Sequence, residues 1–318
     1  MVNSTLRVAV LGILLLGIAV TASGQQASTV LDVLPGVQLL GAGGAGQSIS
    51  SGAETLYHNP ANLSQLPGIS FSSFYASHMA LANYSAASLT VRNWGLALLT
   101  LGSSGIDGYD ADGLPTGAIA YRNTGVLLGV GFDASSIPLL PRLPVDLAVG
   151  ARFKYVSSRI AEERGSGSSL DVGLQVGLGG LQVGPIALSD TGVGLTAVNL
   201  LGGVSYDAEQ DPFMTELQIG FSTWVARMAR VAVDLHTSGS SHLGVTYAAA
   251  PTLDLRLGLI SRDGIRFTFG VGINLEGVLI DYAFLSHSVG STHRVALTLD
   301  FSRIDVAALR NMFRRILP

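Results

Sequence analysis

The feature that most constrains this chain is a period-two alternation of apolar residues that persists along most of its length. It is clearest over Gly264–Phe301, where Ile265, Phe267, Phe269, Val271 and Ile273 alternate with Arg266, Thr268, Gly270, Gly272 and Asn274. Val278, Ile280, Tyr282 and Phe284 repeat the pattern, and Val295, Leu297, Leu299 and Phe301 alternate with Arg294, Ala296, Thr298 and Asp300. Such alternation specifies strands with one apolar and one small or polar face. Short Gly, Asn or Ser linkers join the runs as in a meander.

A soluble β-sandwich shares this pattern, so composition has to decide. The 318 residues are 48% hydrophobic and 13% charged, with 40 glycines. After the first two dozen residues, no uninterrupted apolar run reaches the roughly 18 residues that a membrane helix needs. Apolar residues dispersed over alternating strands are the signature of a transmembrane β-barrel. The expected fold is therefore all-β, an antiparallel barrel of about fourteen strands.

The runs read as Ile69–Ser77, Ala82–Val91, Trp94–Gly102, Ala118–Asp133, Pro144–Arg159, Ser168–Leu181 and Thr191–Asn199, followed by Met214–Ser222, Arg227–His236, His242–Ala249, Thr252–Ile260, Gly264–Ile273, Gly277–Leu285 and His293–Phe301. An even count suits a single-chain bacterial barrel. In the fourth run Ile119 and Tyr121 fall on one phase and Val126, Leu128, Val130 and Phe132 on the other. That predicts a bulge, or two strands, near Asn123–Gly125. Long linkers at Gly102–Gly117, Ile160–Gly167 and Leu200–Phe213 read as outer loops, and the tight ones at Arg92-Asn93, Ala250-Pro251 and Asn274–Glu276 as periplasmic turns. Ala134–Leu143 and Gly184–Asp190 are long for periplasmic turns.

Residues 1–24 read as a secretory signal: Arg7, the apolar run Val8–Val20, then Ala22-Ser23-Gly24. Residues 25–68 precede the regular strands and residues 69–301 carry them. Within 302–318, Ser302 with Asp305 resembles a capping box, and Val306, Leu309, Phe313 and Ile316 share one face of a basic amphipathic helix. That helix suits either a membrane surface or the periplasmic turns of the barrel. The chain lacks cysteine, which excludes disulfides, thiolate metal sites and a lipobox. The net charge of −4 gives no sign of nucleic-acid binding.

Two motifs carry a resemblance. One is the glycine-rich stretch Gly41, Gly43, Gly44 and Gly46, followed by Glu54, Tyr57, the tripeptide Asn59-Pro60-Ala61 and Leu63. The other is Asp281-Tyr282-Ala283-Phe284, preceded by Asp263-Gly264 and followed by Gly290-Ser291-Thr292-His293-Arg294. Together they resemble the PorV/PorQ family of outer-membrane barrels, similar to the long-chain fatty acid (FadL-like) transporters. His58 and Asn62 depart from the aromatic and the glycine usual beside the tripeptide. The resemblance implies an N-terminal hatch over residues 25–68 and a monomeric barrel inserted in outer-membrane lipid by the barrel-assembly machinery. It also implies one of two functions: transport of hydrophobic small molecules, or a type IX secretion role in which the barrel receives secreted proteins. The glycine stretch also matches G-x-G-x-x-G, but no βαβ pattern follows it, so no dinucleotide or other cofactor is expected.

Strand parity turns Arg152, Lys154, Asp171, Arg230, Asp234, Asp254, Arg256, Arg266, Asp281, Arg294 and Asp300 inward, because Arg or Lys facing lipid at midplane costs about 2–4 kcal/mol. The mixture of signs favours a self-paired ladder filling the lumen over an open polar channel. His78, His236, His242, His287 and His293 fall near outer loops that this reading spreads far apart around the ring. An outer-membrane hydrolase is accordingly the third reading. Without a nucleophile, base and acid in mutual reach, no enzyme is expected.

Overall fold

The computed structural model describes residues 29–49, 52–78, 81–109, 112–136, 145–206, 209–262, 264–288 and 290–305. The signal segment 1–24 and most of the expected C-terminal helix (306–318) lie outside the described residues. Sixteen strands occur in chain order: β1 (Ser70–His78), β2 (Ala82–Val91), β3 (Trp94–Tyr109), β4 (Pro115–Asp133), β5 (Asp146–Ile160), β6 (Glu163–Val183), β7 (Ile186–Val198), β8 (Gly203–Tyr206), β9 (Glu209–Pro212), β10 (Glu216–Val225), β11 (Ala229–His236), β12 (Ser241–Ala250), β13 (Leu253–Ser261), β14 (Ile265–Leu275), β15 (Val278–His287) and β16 (Gly290–Asp300). Fourteen of them close an antiparallel barrel. β16 pairs with β1, and β10 pairs directly with β7, so the hairpin β8–β9 takes no part in closing the ring; it pairs with the outer end of β6, and its Val204 joins the interior core.

The alternation sorts the two faces. In β14, Ile265, Phe267 and Phe269 are exposed on the exterior, while Thr268, Gly270 and Gly272 are buried inside. Leu96, Leu98, Leu128, Phe153, Leu257 and Val295 likewise stand exposed on the outside. A closed barrel leaves no unpaired edge, and an apolar exterior needs lipid against it, so the structure is that of a bacterial outer-membrane barrel. Among the described residues no helix is long and apolar enough to cross a membrane.

Three sequence expectations change. β4 is one unbroken strand: its buried positions stay on odd numbers from Asn123 to Gly131, and its register with β5 does not slip. Ile119 and Tyr121 simply share the inward phase, where Tyr121 packs on the interior core above the membrane. The linkers Gly102–Gly117 and Ile160–Gly167 are largely strand, as β3, β4, β5 and β6 extend past their neighbours at the outer end. Gly184–Asp190 is likewise mostly the start of β7, after a tight turn at Gly184-Pro185. At the C-terminal side, Ser302 Oγ donates to the Asp300 carboxylate (2.5 Å), which also pairs with Arg303 at 3.3 Å.

The interior is filled by residues 29–49 and 52–66. This segment has little regular structure: α1 (Gln38–Gly41), α2 (Thr55–His58) and a 3-10 turn over Pro60–Gln65. Val30, Val37, Leu40, Leu56, Leu63 and Ala61 are fully buried. Glycines in the wall make room for it. Gly131, Gly150 and Gly173 lie side by side across β4, β5 and β6, and a Cβ on any of them would strike Asn59, Pro60 or Ala61 at 2.1–2.4 Å.

A detergent-purified chain should give a β-type circular dichroism spectrum and migrate faster unheated than boiled on a denaturing gel. Recovery as a soluble periplasmic protein would contradict the fold.

Candidate functional site

A segment with so little secondary structure carries many backbone polar groups into a buried place, and each needs a partner. The barrel wall supplies them with single inward side chains. Asn123 on β4 accepts from Val30 N (3.1 Å), and Tyr84 on β2 donates to Val33 O (3.1 Å). Arg152 donates to Leu56 O at 2.6 Å, and Gln175 donates to Ser48 O at 3.2 Å. Asp234 accepts from both Gly46 N (2.7 Å) and Gln47 N (3.1 Å). Thr268 accepts from Gly43 N and donates to Gly41 O, while His242 Nδ1 meets Gly43 O at 2.8 Å. Arg294 donates to the carbonyls of Leu34 and Gly36 and lies over the rings of Phe74 and Tyr84, 5.7 and 5.2 Å from their centroids. These contacts come from many sides of the ring, so the segment is held all round.

The segment also satisfies itself. Glu54 is buried and accepts from Val37, Gln38 and Leu39 N–H groups at the start of α1, at 2.5–2.9 Å. Burial raises its carboxyl above the ordinary value, against the pull of those three donors. Asn59 caps the 3-10 turn by accepting from Ala61 N (3.0 Å), and its amide donates to Gln47 O and, on the wall, to Leu174 O. Asn62 donates to Gln47 O and Ile49 O. His58 packs against Gly46 and Leu39, and burial, reinforced by Arg152, pushes its imidazole down to about 3, so it stays neutral. Gly43 has φ +72°, and a Cβ there would meet Leu243 O at 2.2 Å. The glycines at 41–46 therefore let backbone lie directly on the wall.

The inward charges follow three patterns. Asp171 on β6 takes Arg152 (2.5 Å) and Lys154 (2.6 Å) from β5. Arg256 on β13 reaches across β14 to Asp281 on β15 (2.6 Å), over Gly272, where a Cβ would collide with both at 2.4–2.5 Å. Asp254 adds a longer contact to Arg256 at 3.4 Å. Arg230 pairs with Asp190 at 2.8 Å and covers Trp224. Asp234 and Arg294 instead hold the segment's backbone, and Asp300 sits at the periplasmic end. Of the C-terminal motif, Asp281 and Arg294 point in. Tyr282 and His293 point out and touch each other, hydroxyl to Nδ1, at 2.9 Å.

Above the segment lies a cavity of about 640 Å³. Leu34, Leu40, Tyr57 and His58 form its floor, Leu99, Leu127, Ile260 and Leu285 its apolar sides, and Glu216, His236, Arg262 and Arg266 part of its polar rim. The histidines are not spread singly around the ring. His236 stacks on His242 with centroids 4.7 Å apart, and His78 meets His287 edge-on at 5.5 Å. Antiparallel pairing of β11 with β12, and the shared neighbour β16, bring them together. Ser240 Oγ and Glu216 both approach the same nitrogen of His236, at 3.0 and 3.6 Å, which is not a nucleophile–base–acid relay. Among the described residues no group of three or more His, Asp or Glu is placed to hold a metal ion. Sequence reasoning missed Gln47 in the segment, to whose side chain Thr196 on β7 donates at 2.7 Å, and Asn123, Gln175, Thr196 and Thr268 on the wall. The only signal of the wall residues is a lone polar residue at an inward, otherwise Gly- or Ala-rich position.

No family model matches the chain, and no curated protein matches it. Solved structures do. A Pseudomonas aeruginosa FadL homologue superposes with TM-score 0.51 at 9% identity, covering 88% of this chain and 100% of that one. The CymD monoaromatic hydrocarbon channel gives 0.50 at 12% identity, covering 84% and 97%. A TodX monoaromatic hydrocarbon channel variant gives 0.50 at 14%, covering 83% and 97%. The likeness is one of fold.

Asp171→Leu should destabilise the barrel by about 3–5 kcal/mol, since it strands two buried cations. Replacing Asp171, Arg152 and Lys154 together by apolar residues should cost less. Denaturant unfolding in detergent measures both.

Proposed function

We propose that this protein carries hydrophobic small molecules across the outer membrane. The observation behind this reading is the cavity itself, a space between an internal segment and the outer ends of the strands, with Leu34, Leu40, Leu99, Leu127, Ile260 and Leu285 as an apolar surface among polar and charged side chains. In a ligand pocket apolar side chains supply the contact area and placed polar groups fix the orientation, and this cavity offers both. The lower wall offers little space of its own, because its inward positions are glycine, alanine and paired charge already in contact with residues 29–66. The fold likeness to two monoaromatic hydrocarbon channels supports the same reading.

In this reading residues 25–68 are a hatch. Fourteen strands lie between the eight whose interior side chains fill and the sixteen to eighteen that leave a water channel. Deleting Val37–Leu63 from a barrel that still folds should therefore raise single-channel conductance in planar bilayers. Unchanged conductance would remove the hatch from the proposal.

Leu34→Trp and Met214→Trp each add bulk to the cavity without adding charge. Each should lower uptake of the transported compound several-fold in cells while leaving heat-modifiable mobility intact. Mass spectrometry of the protein purified in mild detergent should find hydrophobic small molecules, and fewer in the two variants. Secreted proteins bound in their place, with no uptake defect in a knockout, would overturn transport in favour of a secretion role.

A further inference from the structure

The tall side of the barrel carries a feature that transport does not use. On its exterior, residues paired across β4, β5 and β6 form horizontal rows. From the membrane outward these are Leu128–Phe153–Leu170, Val126–Tyr155–Ser168, Thr124–Ser157–Ser166 and Arg122–Arg159–Arg164. The rows pass from apolar, through an aromatic and a hydroxyl level, to three arginines directly opposite one another. Phe153 and Tyr155 are 47% and 43% exposed, which marks this face as the lipid-facing one. All three arginines are exposed. On the inner side at this height Ser158 and Gly165 are buried, and the Tyr206 ring lies against Gly165, so the guanidinium groups are turned to the outside.

Like charges directly opposite on adjacent strands repel. Three in a row across about 10 Å, at a strand spacing of about 4.8 Å, is an arrangement that proteins normally break with a carboxylate. Here, among the described residues, no carboxylate pairs with Arg122, Arg159 or Arg164. The polar contact shown for them is Arg159 Nε donating to Ala161 O at 3.1 Å, which leaves the rest of that guanidinium outward. Arginine's planar fork matches phosphate oxygens two at a time.

We propose that this ladder binds the phosphate groups of an outer-leaflet lipid headgroup. Continuity selects the occupant: the same three strands present exposed Leu128, Phe153 and Tyr155 on their lower rows, so a lipid whose acyl chains pack there brings its headgroup to the arginine row. The proposal does not depend on what the cavity carries.

The test is titration of the full detergent-solubilised chain with bisphosphorylated lipid A, its dephosphorylated form and inorganic pyrophosphate, read by native mass spectrometry. Wild type should bind the phosphorylated lipid at least ten-fold more tightly than the dephosphorylated one. R122Q/R159Q/R164Q should abolish that difference, and R159Q alone, at the centre of the row, should reduce it several-fold. In lipid-free detergent the triple variant should melt no more than a few degrees lower than wild type, since it loses the repulsion together with a single exposed hydrogen bond, Arg159 to Ala161 O. Retention of the ten-fold difference in a folded triple variant would overturn the site. Should the triple variant fail to fold, an unchanged difference in R159Q would do the same. Displacement of the lipid by excess pyrophosphate would show a site for soluble phosphate and overturn the lipid assignment.

Discussion

The structure depends on one constraint: an irregular segment is enclosed in a barrel, and its backbone polar groups have to be satisfied by the wall. A buried N–H or C=O without a partner costs about as much as a lost hydrogen bond. The wall answers with side chains from several strands, among them Asn123, Arg152, Gln175, Asp234, His242, Thr268 and Arg294. Because these come from strands all round the ring, the barrel and its contents specify each other. The glycines follow from the same need. Where segment backbone touches wall backbone, as at Pro60–Ala61 against Gly131, Gly150 and Gly173, no side chain fits.

This changes the meaning of the inward charges. Arg152 belongs at once to an ion pair with Asp171 and to a hydrogen bond with Leu56 O. Arg294 faces carbonyls and two aromatic rings in place of a carboxylate. The lumen is neither an open polar channel nor a ladder paired only with itself. It is a lining whose polar groups are divided between each other and the enclosed segment. The space left over lies above the segment, where its apolar residues meet the outer ends of the strands.

The outer wall shows the same economy of position. Four neighbouring strands, β3 to β6, outgrow the rest, and the exterior rows of β4, β5 and β6 grade from leucine and phenylalanine through tyrosine and serine to arginine. That gradient follows the membrane's own, from hydrocarbon to headgroup, and it arises because strands in register place residues of equal height side by side.

The sequence alone determined the barrel, its strand number and the inward direction of its charges, because alternation has only one period and lipid excludes charge from one face. It also marked Asn59-Pro60-Ala61 and the Arg294 region as unusual. It could not determine partners. Arg256 and Asp281 are 25 residues apart and meet only because β14 offers Gly272 between them. His78 and His287, read as far apart, meet because β16 lies between β1 and β15. The apparent break in β4 was a limit of the same kind: Ile119 and Tyr121 are apolar because the interior core continues above the membrane, and a periodicity cannot say what stands opposite a strand. Strand pairing decided which residues share a height, and the enclosed segment decided which polar groups were needed.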